Sequence, residues 1–460
     1  MTVSKPTVDV VAGLTSRAAD HGRVWMVIAA LLAAVGRRFG RRSAIRGMLA
    51  LGAAEAGTAV VKQVARRQRP RRRLGALLDR RTTPRTSSFP SAHSAAGFAF
   101  ATGAAMELPV LSVPLGAAAG AVAWSRVRTG QHRWGDVTAG AALGVAVAAA
   151  TRRAWPVAPH EPAGLRTGAA SKTLPPGARV AIVVNPDAGP AISTDPEARL
   201  HKLLPDAEVL CVEEASELPK ALERASEADV IGVSGGDGTV NRAAHTAHTA
   251  GKPLLVVPGG TLNHFAHALG IETFDEAAAA VEGGKVIEAD VACVAGAMFL
   301  NVASFGVYPE LVAMREGLEH RVGKWPALVL ALARVLRKAE PVEVEIDGRH
   351  RRVWMCFVGN CRYHPSGFAP SWREKLDDGQ LDVRIVDAAS PFSRTRLVLA
   401  VLTGRLGRTR VYEERTATSL DVRSLDGPLT LAVDGEVVDG PAHVTFEKDP
   451  SPLQVLVPAD

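Results

Sequence analysis

The chain has 460 residues, a net charge of +7, 47% hydrophobic residues and only 5% aromatic ones. That length holds two or three domains, and the four cysteines (211, 293, 356 and 361) form no Cys-x-x-Cys pair, which argues against a thiol metal or redox motif. The charge is split: residues 1–153 carry 23 Lys and Arg against 6 Asp and Glu, a net +17, so the remainder carries −10 and two different environments are implied.

Five apolar runs fill the first third, at 24–35, 44–61, 92–106, 110–124 and 137–151. Each is near or below the roughly 20 residues that span a bilayer. None has the polar stripe of a soluble amphipathic helix. Arginine clusters between the runs favour membrane helices over buried soluble ones. Glu55 lies inside the second run, where a buried charge costs about 2.5–3.5 kcal/mol on insertion scales. It is expected to face other helices, with Lys62 as a partner; a snorkelling or neutral Glu stays open. No signal peptide is evident near Met1.

Residues 154–177, rich in Pro, Ala and Gly, read as a linker. Beyond it, strands alternate with helices, which implies a doubly wound parallel α/β domain over 178–290. From 291 to 460 the pattern changes to strands in alternation, with Asp347-Gly348 as a hairpin signal, so this part is expected to be β-rich and sandwich-like. The fold class is therefore multidomain: an all-α transmembrane helical bundle (1–153), the linker, an α/β domain and a β-rich domain. Unpaired cysteines in the acidic part suit a reducing cytoplasm.

Three stretches around the apolar runs share one chemistry: "KQVARRQRP" from Lys62, "PSAH" from Pro90 and "SRVRTGQHRWGD" from Ser125. A phosphate monoester needs its charge matched, a nucleophile, and a proton for the departing alcohol. Lys62, Arg69 and Arg126 can match the charge. His132 and Asp136, four apart, would share a helix face, so the carboxylate can hold one ring nitrogen while the other attacks phosphorus. His93 can protonate the leaving oxygen. No carboxylate cluster is present, so no metal is needed there. A nucleic-acid patch is the competing reading of "RRQRPRRR", but aromatic residues for base stacking are missing from that stretch.

These stretches resemble the signatures of the type 2 phosphatidic acid phosphatase superfamily. Lys62, Arg69 and Pro70 complete the first, and Ser125, Arg126, His132 and Asp136 complete the third; in the second, Ala92 replaces the usual Gly. The resemblance implies His132 as nucleophile, Asp136 as its orienter and His93 as general acid. It implies phosphate held by Lys62, Arg69, Ser91 and Arg126.

"SGGDGTVN", 234–241, sits between a strand and a helix, where backbone N–H groups can approach phosphate. With "NPDAG" (185–189), "PGGTLNHFA" and "DGE" (434–436), it resembles the diacylglycerol kinase catalytic domain. His264 stands where that family usually has Asp. The resemblance places ATP on Asn185, Pro186, Asp187, Ala188, Gly189, Gly235, Gly236, Asp237, Gly238, Thr239, Val240, Asn241 and Thr261. It makes Glu436 the general base, although a turn acid is the bland reading of that residue. It implies a structural Mg²⁺ on Asp378 and the carbonyls of Lys375 and Gln380, oxygen donors that suit a hard cation. His245, His248 and His267 read as solvated helix residues.

The sequence thus points to a bifunctional membrane lipid enzyme, an ATP-dependent lipid kinase fused to a metal-independent lipid-phosphate phosphatase. An active kinase with the helices as anchor, and a non-catalytic anionic-lipid binder, are the alternatives. The expected partners are membrane lipids of the diacylglycerol, phosphatidic acid or polyprenyl phosphate class, not nucleic acid; a homodimer stays open. The expected placement is multi-pass in the cell membrane, with the kinase cytoplasmic and the phosphatase site extracytoplasmic.

Overall fold

The structure is a computed structural model that describes residues 5–19, 22–35, 37–65, 67–68, 87–164, 172–185, 195–260, 263–309, 314, 339–367, 371–402 and 406–459. The chain divides into two compact units, Met1–Ala158 and Pro159–Asp460.

The first unit is helical: α1 (Lys5–Ala18), α2 (Arg23–Val35), α3 (Arg37–Ala65), α4 (Ala92–Glu107), α5 (Ser112–Arg128) and α6 (Trp134–Ala154). The five apolar runs become α2 to α6. Helix α1 has no counterpart among them, because Thr, Asp, Ser and Arg interleave its apolar residues. Arg38–Ala65, Pro109–Arg128 and Trp134–Arg153 are long and apolar enough to cross a membrane, and Arg23–Ala34 is a shorter apolar helix. Helix α4 has only 16 residues, about 24 Å at 1.5 Å per residue. It packs against α3, α5 and α6 and is buried on most of its circumference, which explains its lack of a polar stripe.

Glycines bring α6 onto α4. A Cβ at Gly140 would lie 2.4 Å from the Ser91 carbonyl oxygen, and one at Gly144 would lie 2.3 Å from that of Ala95. Spaced four apart, they form one small-residue stripe, the device by which helices approach closely in a bilayer. The Ser91 N–H donates to the Asp136 carbonyl at 2.9 Å across the top of this contact.

The other end of the bundle is closed by charge. Glu107, fully buried at the end of α4, accepts from Arg42 Nε at 2.8 Å and Arg46 Nε at 2.7 Å. Both arginines also donate to the Pro156 carbonyl and lie over the Trp155 ring. Glu55, expected to face other helices, is instead exposed on α3 and makes no ion pair among the described residues. The acid buried at this end is Glu107, which has two arginines to offset its desolvation.

Among the described residues the second unit has two large sheets and one separate two-stranded pair. The first contains β1 (Lys172–Thr173), β2 (Val180–Val184), β3 (Glu208–Cys211), β4 (Val230–Gly235), β5 (Leu254–Pro258) and β6 (Lys285–Ala289). With them alternate α7 (Pro196–Leu203), α8 (Leu218–Ala225), α9 (Asp237–Ala250), α10 (His264–Ala268) and α11 (Phe274–Gly283). Strands β3, β2, β4 and β5 are parallel neighbours, and β2, β4 and β5 are buried throughout, as a sheet covered on both faces requires. Strand β1 forms within the segment read as a linker.

The second sheet is antiparallel, as the alternating pattern predicts. It holds β7 (Ala292–Val294), β8 (Ala297–Phe299), β9 (Val302–Gly306), β10 (Val342–Ile346) and β11 (Arg349–Asn360). Beyond the small pair β12 (Tyr363–His364) and β13 (Trp372–Arg373), it adds β14 (Leu381–Asp387), β15 (Tyr412–Ala417), β16 (Ser419–Ser424), β17 (Thr430–Val433), β18 (Glu436–Asp439) and β19 (His443–Lys448). The last strand, β20 (Leu453–Val457), returns to the first sheet between β5 and β6, so the chain end completes the α/β layer.

Gly144→Val tests the helix contact. It should destabilise the helical unit by about 2 kcal/mol through overpacking, read as a lower thermal midpoint in detergent. Gly116→Val, at a position with nothing within 4 Å, should stay within about 0.5 kcal/mol of the parent. Equal midpoints for the two variants would contradict the close crossing.

Candidate active sites

In the helical unit, the turn before α6 and the start of α4 meet. Gly130, at φ +70°, turns the chain out of α5, and the His132 N–H then donates to the Arg126 carbonyl at 3.2 Å. His132 therefore precedes α6 rather than sharing its face with Asp136. Asp136 is the third residue of α6, and its Oδ2 accepts the Arg133 N–H at 3.0 Å, capping its own helix.

The imidazole is held by a group that sequence reasoning missed. His132 Nδ1 lies 2.8 Å from the Ser88 carbonyl oxygen and 3.8 Å from Asp136 Oδ2. A carbonyl only accepts, so Nδ1 carries the proton and the ring lone pair is on Nε2. Asp136 also takes Arg67 Nη1 at 3.0 Å. Arg67 lies within the basic stretch already noted, but only its partner distinguishes it from its neighbours. A backbone carbonyl such as that of Ser88 leaves no residue-type signal.

Ser91, Arg126, His132 and Asp136 are all buried, a costly grouping of polar side chains that needs mutual satisfaction. Ser91 caps α4, with its Oγ 3.0 Å from Ser94 Oγ, and His93 lies half-buried in the first turn of that helix. Lys62 is half-buried near the end of α3. Arg69 lies outside the described residues.

In the second unit, two glycine loops lie at the carboxyl ends of adjacent strands, where ligands bind in open α/β sheets. A Cβ on Gly259 would come within 2.7 Å of the Gly235 nitrogen, and one on Gly260 within 2.6 Å of the Gly236 Cα. Gly236 caps α9, so the N–H groups of that first turn are presented together. Asn185 Nδ2 donates to Thr239 Oγ1 at 3.1 Å, tying the end of β2 to α9. Asp237 Oδ1 accepts the His264 N–H at 2.9 Å. The backbone of His264 thus serves the loop even though its side chain departs from the family pattern. Asn263, in the left-handed region at φ +50°, closes the second loop onto Gly260. Pro186, Asp187, Ala188, Gly189 and Thr261 lie outside the described residues.

Glu436 opens β18 just after the Asp434-Gly435 turn, whose φ values are +47° and +93°. Asp434 anchors that turn. Its carboxylate accepts the N–H groups of Leu300 (2.7 Å), Asn301 (2.9 Å) and Val302 (2.8 Å) and the Asn241 amide (3.0 Å). Burial pushes the Asp434 carboxyl up to about 6, the three backbone N–H groups pull it down, and the charge of Asp237 adds to the rise. Arg242 Nη2 reaches Glu436 Oε1 at 3.1 Å. A Cβ on Gly238 would come within 2.8 Å of that same oxygen, so α9 and the β17–β18 hairpin face each other. Between them is a cavity of about 190 Å³ with Met298 and Val438 on its apolar side. His245 is exposed at its rim; His248 bonds the Ser451 carbonyl and His267 is half-buried.

Asp378 accepts the N–H groups of Arg362 and Gln380, each at 2.8 Å, and lies close to Asp290 and Cys361. The oxygen donors suit a hard cation, but burial pushes the Cys361 thiol up to about 12, so it stays protonated and is no ligand for Mg²⁺. Lys448 Nζ sits 3.0 Å from Asp290 Oδ2 and already neutralises it. Asp378, with the nearby carbonyls, is the part of the group that fits.

The PAP2 superfamily matches residues 44–158, the diacylglycerol kinase catalytic domain matches 179–294, and the YegS C-terminal NAD kinase beta sandwich-like domain matches 315–457. A diacylglycerol kinase of Bacillus subtilis (strain 168) is 31% identical over 236 residues, 47% of this chain and 77% of that protein. An uncharacterized protein of Synechocystis sp. is 27% identical over 282 residues; the match spans 57% of this chain and 64% of that protein, less than two thirds of its length. The crystal structure of a diacylglycerol kinase from Bacillus anthracis str. Sterne is 24% identical, covers 61% of this chain and 96% of its own, and superposes with a TM-score of 0.43. Fold and motifs define a lipid kinase unit that follows a PAP2-type phosphatase unit. The chain belongs to the diacylglycerol kinase family.

Asp434→Asn places an amide donor where two donors already point, so it should lower kinase turnover at least tenfold, by about 1.4 kcal/mol or more. In the parent, turnover should fall as the pH drops below about 6, where Asp434 protonates. The unit should not unfold over that step, because a carboxyl with a raised pKa in the folded state adds stability as the pH falls. Full activity of Asp434→Asn would contradict the anchoring role.

Proposed function

We propose that both units turn over lipid substrates, the second phosphorylating a lipid hydroxyl of the diacylglycerol type with ATP and the first hydrolysing a lipid phosphate. The observation that supports this reading is that each unit brings a candidate reactive side chain together with groups that can hold phosphate. His132 has its Nδ1 proton fixed by Ser88, and Glu436 is set by an anchored turn opposite a helix N-terminus.

In the phosphatase, Lys62, Arg69, Ser91 and Arg126 bind the phosphate and His132 Nε2 attacks phosphorus. His93 donates a proton to the leaving lipid alcohol, and water then releases phosphate from the imidazole. The Ser88 carbonyl and the charge of Asp136 stabilise the imidazolium side of this step. In the kinase, the N–H groups at the start of α9 and the glycine loops hold the ATP phosphates. Glu436 takes the proton from the lipid hydroxyl as it attacks the terminal phosphorus. Asp378 and the carbonyls of Lys375 and Gln380 would hold a structural Mg²⁺. Mg²⁺ accompanying ATP neutralises charge on the transferring phosphoryl group.

We also infer the sidedness. Arg152 and Arg153 in the last turn of α6, and the arginines that open α3, mark the cytoplasmic end. Lys62, Ser91, His132 and Asp136 all sit at the opposite ends of their helices, which supports an extracytoplasmic phosphatase site and a cytoplasmic kinase.

His132→Ala should cut phosphatase turnover about 10³-fold or more and leave the kinase unchanged; Glu436→Ala should do the reverse. Chelation should stop the kinase and spare the phosphatase. Loss of both activities from either substitution, or a phosphatase that dies in chelator and recovers with Mg²⁺, would contradict the assignment.

A further inference from the structure

We infer that α1, which precedes the PAP2-matched residues, is a working part of the phosphate pocket, and that Gln131 and Ser16 are positioning residues for Arg126; this rests on the phosphatase reading. Arg126 is 3% exposed and carries the charge that the pocket needs for phosphate. Its Nη1 donates to Gln131 Oε1 at 2.6 Å and its Nη2 to the Ser16 carbonyl at 3.1 Å. Gln131 Nε2 reaches Ser16 Oγ at 3.5 Å, so the three residues form a closed bracket. Ser16 is itself buried, near the end of α1, and α1 packs along α5, the helix that carries Arg126.

The physical argument concerns orientation. A guanidinium is a planar fork whose value in anion recognition lies in its fixed angle, and a long side chain without brackets loses that angle to rotamer freedom. Gln131 and the Ser16 carbonyl fix two of its terminal nitrogens. The bracket is also tied to the nucleophile, because the Arg126 carbonyl accepts the backbone N–H groups of both Gln131 and His132. Moving Arg126 moves the turn that carries the imidazole. Ala12, fully buried in α1, seats that helix.

The test uses the full-length protein in detergent with orthovanadate and inorganic phosphate as binding probes, alongside hydrolysis of a lipid phosphate. Gln131→Met should weaken orthovanadate binding about tenfold, the order expected for a lost hydrogen bond to a charged group. It should raise KM by a similar factor while kcat stays within about twofold. Ala12→Glu, which forces α1 from its seat, should reproduce the Gln131→Met loss. In an Arg126→Lys background, which lacks the fork, Gln131→Met should add less than about twofold. Unchanged or tighter binding in Gln131→Met, or an equal loss in the Arg126→Lys background, would overturn the inference. A parent protein that binds the anion but hydrolyses no lipid phosphate would overturn the phosphatase reading while leaving the bracket standing. A parent that binds no anion would overturn both.

Discussion

Close approach of one backbone to another, permitted only by glycine, is the constraint on which both sites depend. In the helical unit, Gly140 and Gly144 let α6 rest on the carbonyls of α4. That contact brings Ser91 to the Asp136 carbonyl. In the second unit, Gly259 and Gly260 lie against Gly235 and Gly236, so two strand-end loops share one space at the start of α9. A methyl group at Gly140, Gly144, Gly259 or Gly260 would meet backbone first.

The same geometry explains how the buried charges are tolerated. Asp136 sits in the first turn of α6 and takes both a backbone N–H and Arg67. Glu107, at the far end of the bundle, is held by two arginines that also stack on Trp155. Asp434 has no cationic partner among its hydrogen bonds; burial pushes its carboxyl up to about 6, and the backbone N–H groups pull it back only in part. A buried acid held only by dipoles can change its protonation near neutral pH.

The apolar runs, the doubly wound pattern and the β-rich pattern were legible in the residues, because burial on all faces, strand–helix alternation and period-two alternation each leave a mark on composition. The candidate side chains stand out for the same reason: His132, Asp136, the glycines of 235–238 and Glu436 are distinctive types in distinctive contexts, and their roles are proposals. What supports them was not. The Ser88 carbonyl and the Leu300 to Val302 N–H groups are backbone, and any residue could supply them. The spacing of His132 and Asp136 suggested one helix face, but the Gly130 turn delays the start of α6 until Trp134. Helix α1 lacks a continuous apolar run, and the return of β20 to the first sheet is a long-range pairing that no local pattern encodes.

The account rests most heavily on the tautomer of His132. With Nδ1 committed to the Ser88 carbonyl, the ring lone pair is on Nε2, and the proposed phosphatase step puts phosphate on that atom. Rapid quenching of the full-length protein during turnover of a ³²P-labelled lipid phosphate, followed by alkaline peptide mapping, measures this directly. The account predicts acid-labile, base-stable label on the peptide containing His132, bonded at Nε2, within the first turnover. Label on Nδ1 or on another residue, or a first-turnover burst of inorganic phosphate with no labelled peptide, would contradict it.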